Sequence, residues 1–345
     1  MTRVLKASEV LDARTDLLDR LEDPFFRRIM NAMGEMEFGR SGGERRKPGG
    51  QIPTYALIGH AARTAECYRV THDMGLVLEH AANSLDELDQ FDPMLAPSGC
   101  GFVSFDKPIT VIDMRGKKML VHFLLWGHVN TSHGPGIATY CFNDIWREPD
   151  EVHHALLQQD IWSEDGERAQ ETYLKASGRW ATVGFSPMFK GQRLGPPRLM
   201  PSEEQQARLI ADGDTPVAGT QIIRYVHALW LLMNQTVARV EPDHVERPAR
   251  RRAERRKLPP KVSVIKLRRE QGSERRHGES DIEWAHRFVV RGHWRWVACG
   301  PGHRLAQEVE PGVYRARLWI NPYVKNAHRT DLPFVQSQKV YSLER

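Results

Sequence analysis

Between Trp284 and Val297 the chain reads Trp-Ala-His-Arg-Phe-Val-Val-Arg-Gly-His-Trp-Arg-Trp-Val, and its residues sort by parity. Even positions hold His286, Phe288, Val290, Gly292, Trp294 and Trp296; odd positions hold Arg287, Val289, Arg291, His293, Arg295 and Val297. Side chains alternate faces along a strand. A strand here therefore has one aromatic, apolar face and one face of three arginines and a histidine. Such a segment belongs in a sheet that packs on one side and is open on the other.

The same split recurs in Val313-Tyr-Arg-Ala-Arg-Leu-Trp-Ile320. Tyr314, Ala316, Leu318 and Ile320 fall on one parity, and Arg315, Arg317 and Trp319 on the other. If both strands lie in one sheet, Arg287, Arg291, Arg295, Arg315 and Arg317 are expected to share a face. Alternate strand residues lie about 6.6 Å apart, comparable with successive phosphates on a nucleic-acid strand. Guanidinium groups match phosphate oxygens in pairs. Trp294 and Trp296, on the apolar parity, are expected in the core, while Trp319 on the basic parity is the candidate for stacking on a base. Lys325, just after the second strand, adds a cation.

Charge supports an anionic partner. Residues 246–345 carry 23 Lys plus Arg against 11 Asp plus Glu, whereas residues 1–245 carry 26 against 33. An acidic body with a basic tail is the asymmetry of nucleic-acid binders and of proteins that bind acidic surfaces. The 345 residues suggest more than one domain. No run approaches the roughly 18 apolar residues of a membrane span, and the first ten residues lack a signal-peptide core. Membrane partners are not expected, and the cytoplasm is the expected compartment. Cys67, Cys100, Cys141 and Cys299 form no Cys-x-x-Cys pair, which leaves them as reduced thiols.

In chain order, residues 1–90 read as helical, with helices over Val4–Leu21, 24–33, Thr54–Tyr68 and Met74–Leu88. The basic Gly-rich stretch 39–51 reads as a loop; it lacks the Gly-Lys-Ser/Thr ending of a phosphate loop. A β meander of about four strands follows over 100–146, with turns at Lys107-Pro108, Arg115–Lys118 and His133–Gly136. Helices then run to residue 240: 148–159, about 166–176, 202–211 and a long apolar one over 219–240, with a strand at Trp180–Phe185. Residues 241–260, bracketed by Pro242, Pro248, Pro259 and Pro260 around an arginine run, read as a solvated basic linker. The last domain, 261–345, takes strands at 261–268, 284–297, 313–321 and 338–343, with a loop over 298–312. The expected class is α+β: a mixed helical and antiparallel-sheet body over 1–240, then a small antiparallel β domain.

Catalysis has a narrower basis. Metal-independent RNA cleavage needs a base, an acid and cations for the phosphate. His293 beside Arg291 and Arg295, with Tyr323 and Lys325 near the next strand end, supplies those groups. In the body, His122, His128, His133, His153 and His154 show neither the helical pair nor the intervening Glu of a hydrolytic zinc site. No metal site and no cofactor are expected.

The tail resembles a group of proteins from actinobacteria and their phages and mobile elements. The matching residues are Lys266–Arg269, His286-Arg-Phe-Val-Val-Arg-Gly-His-Trp-Arg295, Cys299-Gly-Pro-Gly-His-Arg304 and Trp319-Ile-Asn-Pro-Tyr-Val-Lys325, with a weaker echo from Gly101 to Trp146. The group has an aromatic residue, usually Trp, where this chain has Phe288, and a Gly where it has Asn326. The resemblance implies a source and a domain boundary, and it supplies no catalytic residue.

The first expectation is thus a nucleic-acid-binding accessory or regulatory protein of a phage or mobile element, its basic sheet face holding RNA or DNA and its acidic body docking a protein partner. A toxin-type ribonuclease using His293 and Tyr323 is the second. A module whose arginines bind an acidic protein is the third.

Overall fold

The computed structural model describes residues 5–28, 30–31, 54–112, 118–131, 134–144, 180–195, 218–235, 237–267, 288–290, 292–320 and 323–325. The class is α+β: a seven-stranded mixed sheet covered by helices, and a separate small three-stranded antiparallel sheet. The expected helices at 148–159, 166–176 and 202–211, the loop 39–51 and the strand 338–343 lie outside the described residues.

The helices are α1 (Ala7–Arg20), α2 (Thr54–Thr64), α3 (His72–Asn83), α4 (Ala218–Met233) and α5 (Arg247–Arg255). The strands of the large sheet are β1 (Glu66–Val70), β2 (Cys100–Ile112), β3 (Lys118–Thr131), β4 (Gly134–Asp144), β5 (Trp180–Phe189), β6 (Ala238–Pro242) and β7 (Val262–Leu267), in the order β5-β4-β3-β2-β1-β7-β6. β2 to β5 form a four-stranded antiparallel meander, but only three of its strands, β2 to β4, lie in the stretch 100–146 where about four were expected, and the fourth is the strand expected separately at Trp180. Lys107-Pro108 makes no turn; it lies within β2, where the pairing to β3 shifts register between Ser104 and Ile109.

β1 is parallel to both β2 and β7. It replaces the end of the helix expected over 54–68, because Cys67, Tyr68 and Val70 are buried at the sheet centre. The sheet is covered on both sides, so its central strands are apolar on both faces. Every residue from Val121 to Gly127 is buried. Phe102, Phe123, Leu125, Tyr140 and Phe142 pack with α1, α2 and α5 on one side. Val103, Phe105, Leu124, Trp126 and Cys141 pack with α3, α4 and the small sheet on the other.

The helix expected over 219–240 ends at Met233, and the chain re-enters the sheet as β6. Asn234 holds that end by donating to the Trp230 and Leu95 carbonyls.

The expected linker is structured. Residues 247–255 form α5, residues 238–242 form β6, and residues 262–267 are a strand of the body's sheet rather than the first strand of the tail. Proline in the first turn suits a helix start and arginine is a good helix former. Ala249 and Ala253, one turn apart, are buried against α1. Leu258 closes the helix: its N–H donates to the Ala253 carbonyl at 2.9 Å, and Lys257 takes the left-handed conformation (φ 56°) that this cap requires.

The small sheet has the order β10-β11-β9, formed by β9 (His293–Cys299), β10 (Ala306–Glu310) and β11 (Val313–Ile320). β10 occupies the expected loop 298–312. The strand expected over 284–297 is divided: β8 (Phe288–Val290) pairs with β12 (Tyr323–Lys325) in a two-stranded sheet, and β9 begins afresh at His293. Gly292 marks the division. A Cβ there would lie 2.4 Å from the Trp319 ring, so only glycine lets the chain pass.

Among the described residues, no helix is long and apolar enough to cross a membrane. Cys67 and Cys141 are buried free thiols that burial pushes up to about 11 and about 12.

Candidate nucleic-acid interface

The register of β9 against β11 decides which side chains share a face. Residues directly opposite in an antiparallel pair point the same way. Trp319 lies opposite Trp294, Arg317 opposite Trp296 and Arg315 opposite Ala298, while Leu318 lies opposite Arg295 and Ile320 opposite His293. The basic parity of β11 thus joins the aromatic parity of β9. Arg295 sits on the other face from Arg315 and Arg317, and the expected single arginine face does not form. Arg287 and Arg291 lie outside the described residues.

The mixed face turns toward the body. Trp294 donates its ring N–H to the Ala81 carbonyl at the end of α3 (2.9 Å) and meets Trp319 edge-on at 5.3 Å. Trp319 is 5% exposed, which removes it as a stacking platform. Arg317 forms an ion pair with Asp89, and its guanidinium lies over the rings of Trp294 (6.0 Å) and Trp296 (5.8 Å). It is a docking residue, with its cation already matched. β10 begins opposite Ala316, so its pairing does not reach Arg317 or Trp319; there Gln235 takes the Trp319 N–H (2.7 Å) and donates to the Arg317 carbonyl. Trp296, expected in the core, is instead the exposed tryptophan of this face at 42%.

Arg295 and Arg315 are exposed and form no ion pair among the described residues, but they lie on opposite faces. His293 opens β9, and Tyr323 pairs with Val290 in the two-stranded sheet, so the two residues named for catalysis belong to different sheets. Lys325 pairs with Phe288 in that same small ladder. Among the described residues, no three His, Cys, Asp or Glu side chains gather as metal ligands. His122 is buried, and its Nδ1 accepts the Asp144 N–H.

A second basic surface is organised by α5. A helix turns about 100° per residue, so residues four apart line up. Ala249 and Ala253 form the inward row. Arg252 and Arg256 flank it and reach α1: Arg252 grips Asp12 through two hydrogen bonds of 2.9 and 2.6 Å, and Arg256 pairs with Asp19 and Glu22. Arg14 of α1, fully buried, donates to the Ala65 and Pro259 carbonyls and so ties α1 to the chain on either side. Turned away from α1 are Arg247, Arg251 and Arg255, at spacing i, i+4, i+8, all exposed and without an ion pair among the described residues. Arg250 and Lys257 are exposed beside them.

The arginine run was legible in the sequence, but its geometry was not. The signal for a helix was the Ala249/Ala253 pair one turn apart behind Pro248, outweighed in the reading by the density of like charge. α5 and the small sheet contact opposite faces of the large sheet. The basic segment therefore does not act as one platform.

No protein-family model and no curated protein matches the chain. Among solved structures, the crystal structure of AcrVA2 matches with a TM-score of 0.35 and 11% sequence identity, over 92% of this chain and 93% of that chain.

Proposed function

We propose that this protein binds nucleic acid through the backbone phosphates, with the outward arginine row of α5 as the primary contact. The observation that supports this is the row itself. Three guanidinium groups one turn apart repel one another and weaken an isolated helix by a few tenths of a kcal/mol per pair. The protein neutralises Arg252 and Arg256 with Asp12, Asp19 and Glu22 and, among the described residues, leaves Arg247, Arg251 and Arg255 without an ion pair. Phosphate oxygens relieve that repulsion and accept paired guanidinium hydrogen bonds. Contacts of this type give affinity with little sequence choice, which suits an accessory protein of a phage or mobile element, the source implied by the resemblance of the tail.

The experiment is a binding titration at several salt concentrations, comparing the wild type with the triple variant Arg247→Ala/Arg251→Ala/Arg255→Ala. These side chains are exposed and form no ion pair among the described residues, so the triple variant should fold, with circular dichroism unchanged and a melting temperature at or slightly above that of the wild type. The slope of log affinity against log salt should fall in magnitude by roughly 3. An unchanged slope in a folded triple variant removes α5 from the reading. Failure of wild type to bind any nucleic acid at low salt removes the reading itself.

A further inference from the structure

Resting on that reading, we infer that the ligand is double-helical nucleic acid, gripped along one backbone without regard to sequence. Four observations narrow the class. The row Arg247, Arg251, Arg255 winds by only about 40° per step and advances about 6 Å per step, about 12 Å in all, from the geometry of the helix. It is held rigid by the buried Ala249 and Ala253, the Leu258 cap and the two-point Arg252–Asp12 contact. A rigid row suits phosphates that are already ordered, as in a duplex.

The surface is the outer side of a helix lying on α1. Proteins that take unpaired strands instead combine a basic groove with aromatic rings on which bases stack. From Asp243 to Lys261 the chain has no Phe, Tyr or Trp, and α1 has none either. Among the described residues, the partly buried rings packed on that side, Tyr55 and Phe25, lie under guanidinium groups: that of Arg27 is 5.2 Å over Tyr55, and that of Arg28 is 5.7 Å over Phe25. The tryptophans of the small sheet lie across the large sheet, with Trp319 buried and Trp294 bound to Ala81. Among the described residues, a single strand on α5 would thus meet charge and no open ring. A duplex meets the row with about one charge per 1.7 Å of its axis.

The exposed side chains of α5 also lack the Asn and Gln that read adenine. They are arginines, a proline and Glu254. The row therefore reads the backbone and the shape it follows.

The test measures binding of the full chain, at one salt concentration, to a mixed-sequence DNA duplex, an RNA duplex and an oligo(dT) strand of equal phosphate number, for wild type and the Arg247/Arg251/Arg255 triple alanine variant. At least one duplex should bind roughly tenfold or more tightly than oligo(dT), and the triple variant should lose that preference. Equal or tighter binding of oligo(dT), still dependent on the row, overturns the duplex assignment and leaves backbone binding standing. A duplex preference that survives in the folded triple variant also overturns the assignment, because the row is then not its cause. No binding of any probe by wild type overturns both.

Discussion

Arg317 of the small sheet and Asp89 of the body form an ion pair with side chains only 14% and 18% exposed. Around it stand the rings of Trp294 and Trp296 and the buried Arg224, whose guanidinium donates to the Ala82, Leu85 and Gly195 carbonyls. Burial pulls Arg224 down to about 10, opposed by the Asp89 charge and reinforced by that of Arg317. One carboxylate thus serves two arginines at the seam.

Removing that carboxylate leaves Arg317 without its ion-pair partner and weakens the negative field at Arg224, which keeps its three carbonyl acceptors and the charges of Asp86 and Glu87. Asp89→Asn should destabilise the protein by about 3 kcal/mol, the range for one partner lost from a largely buried pair. Arg317→Met should cost clearly less, because Asp89 keeps the field of Arg224 and the methionine still packs on the tryptophans. Urea denaturation of the two variants checks the order. Equal losses would mean that Asp89 does not serve both arginines.

Trp319 and Trp296 offer a contrast within one face. Trp319→Ala empties a site packed against Trp294 and should cost about 3–5 kcal/mol. Trp296→Ala removes a ring already 42% exposed and should cost about 1 kcal/mol or less. Were Trp319 a platform for bases, its loss would spare stability and weaken binding. Melting and binding measured on the same two variants decide between core and platform.

These residues also show what the sequence could and could not reveal. Alternation in Trp294–Val297 and in Val313–Ile320 correctly says which side chains share a face within each strand. It does not say which parity of one strand joins which parity of the next. That depends on register, and a shift of one residue exchanges every side chain. The pairing of Arg317 with Trp296 therefore reversed the expected arginine face. Val262–Leu267 likewise reads as a strand but carries no mark of its partner, and β1 claims it for the body. α1, α3 and the meander were legible because burial of one stripe, or of alternating residues, is written locally. α5 was obscured because its buried stripe is only two alanines, and the carboxylates that neutralise its flanks come from α1 and the turn after it, more than 200 residues earlier.

The cap of α5 gives an independent check that 247–258 is folded helix. Lys257 holds φ at 56°, a conformation that costs a residue with a side chain roughly 1–2 kcal/mol relative to glycine. Lys257→Gly should therefore raise stability by about 1 kcal/mol, read as a higher melting temperature. Glycine in an unstructured linker would leave the melting temperature unchanged. A lower melting temperature would contradict the left-handed cap.

His227 should make the seam sensitive to acid. It is buried on α4 with its ring 5.9 Å from Phe91. Burial, then the charges of Arg317 and Arg224, push its pKa down from 6.5 to about 4. The unfolded chain therefore takes up the proton first as pH falls, so stability must rise with pH across this window. The contribution is complete above about pH 6.5 and is lost progressively as pH falls toward 4, with an upper limit on the order of 3 kcal/mol. His227→Phe keeps a ring of similar size and abolishes the titration. Denaturation between pH 7 and pH 4 should show wild type losing stability faster than this variant, with the two curves converging or crossing at the acid end. Parallel curves would exclude His227 as a source of the acid response.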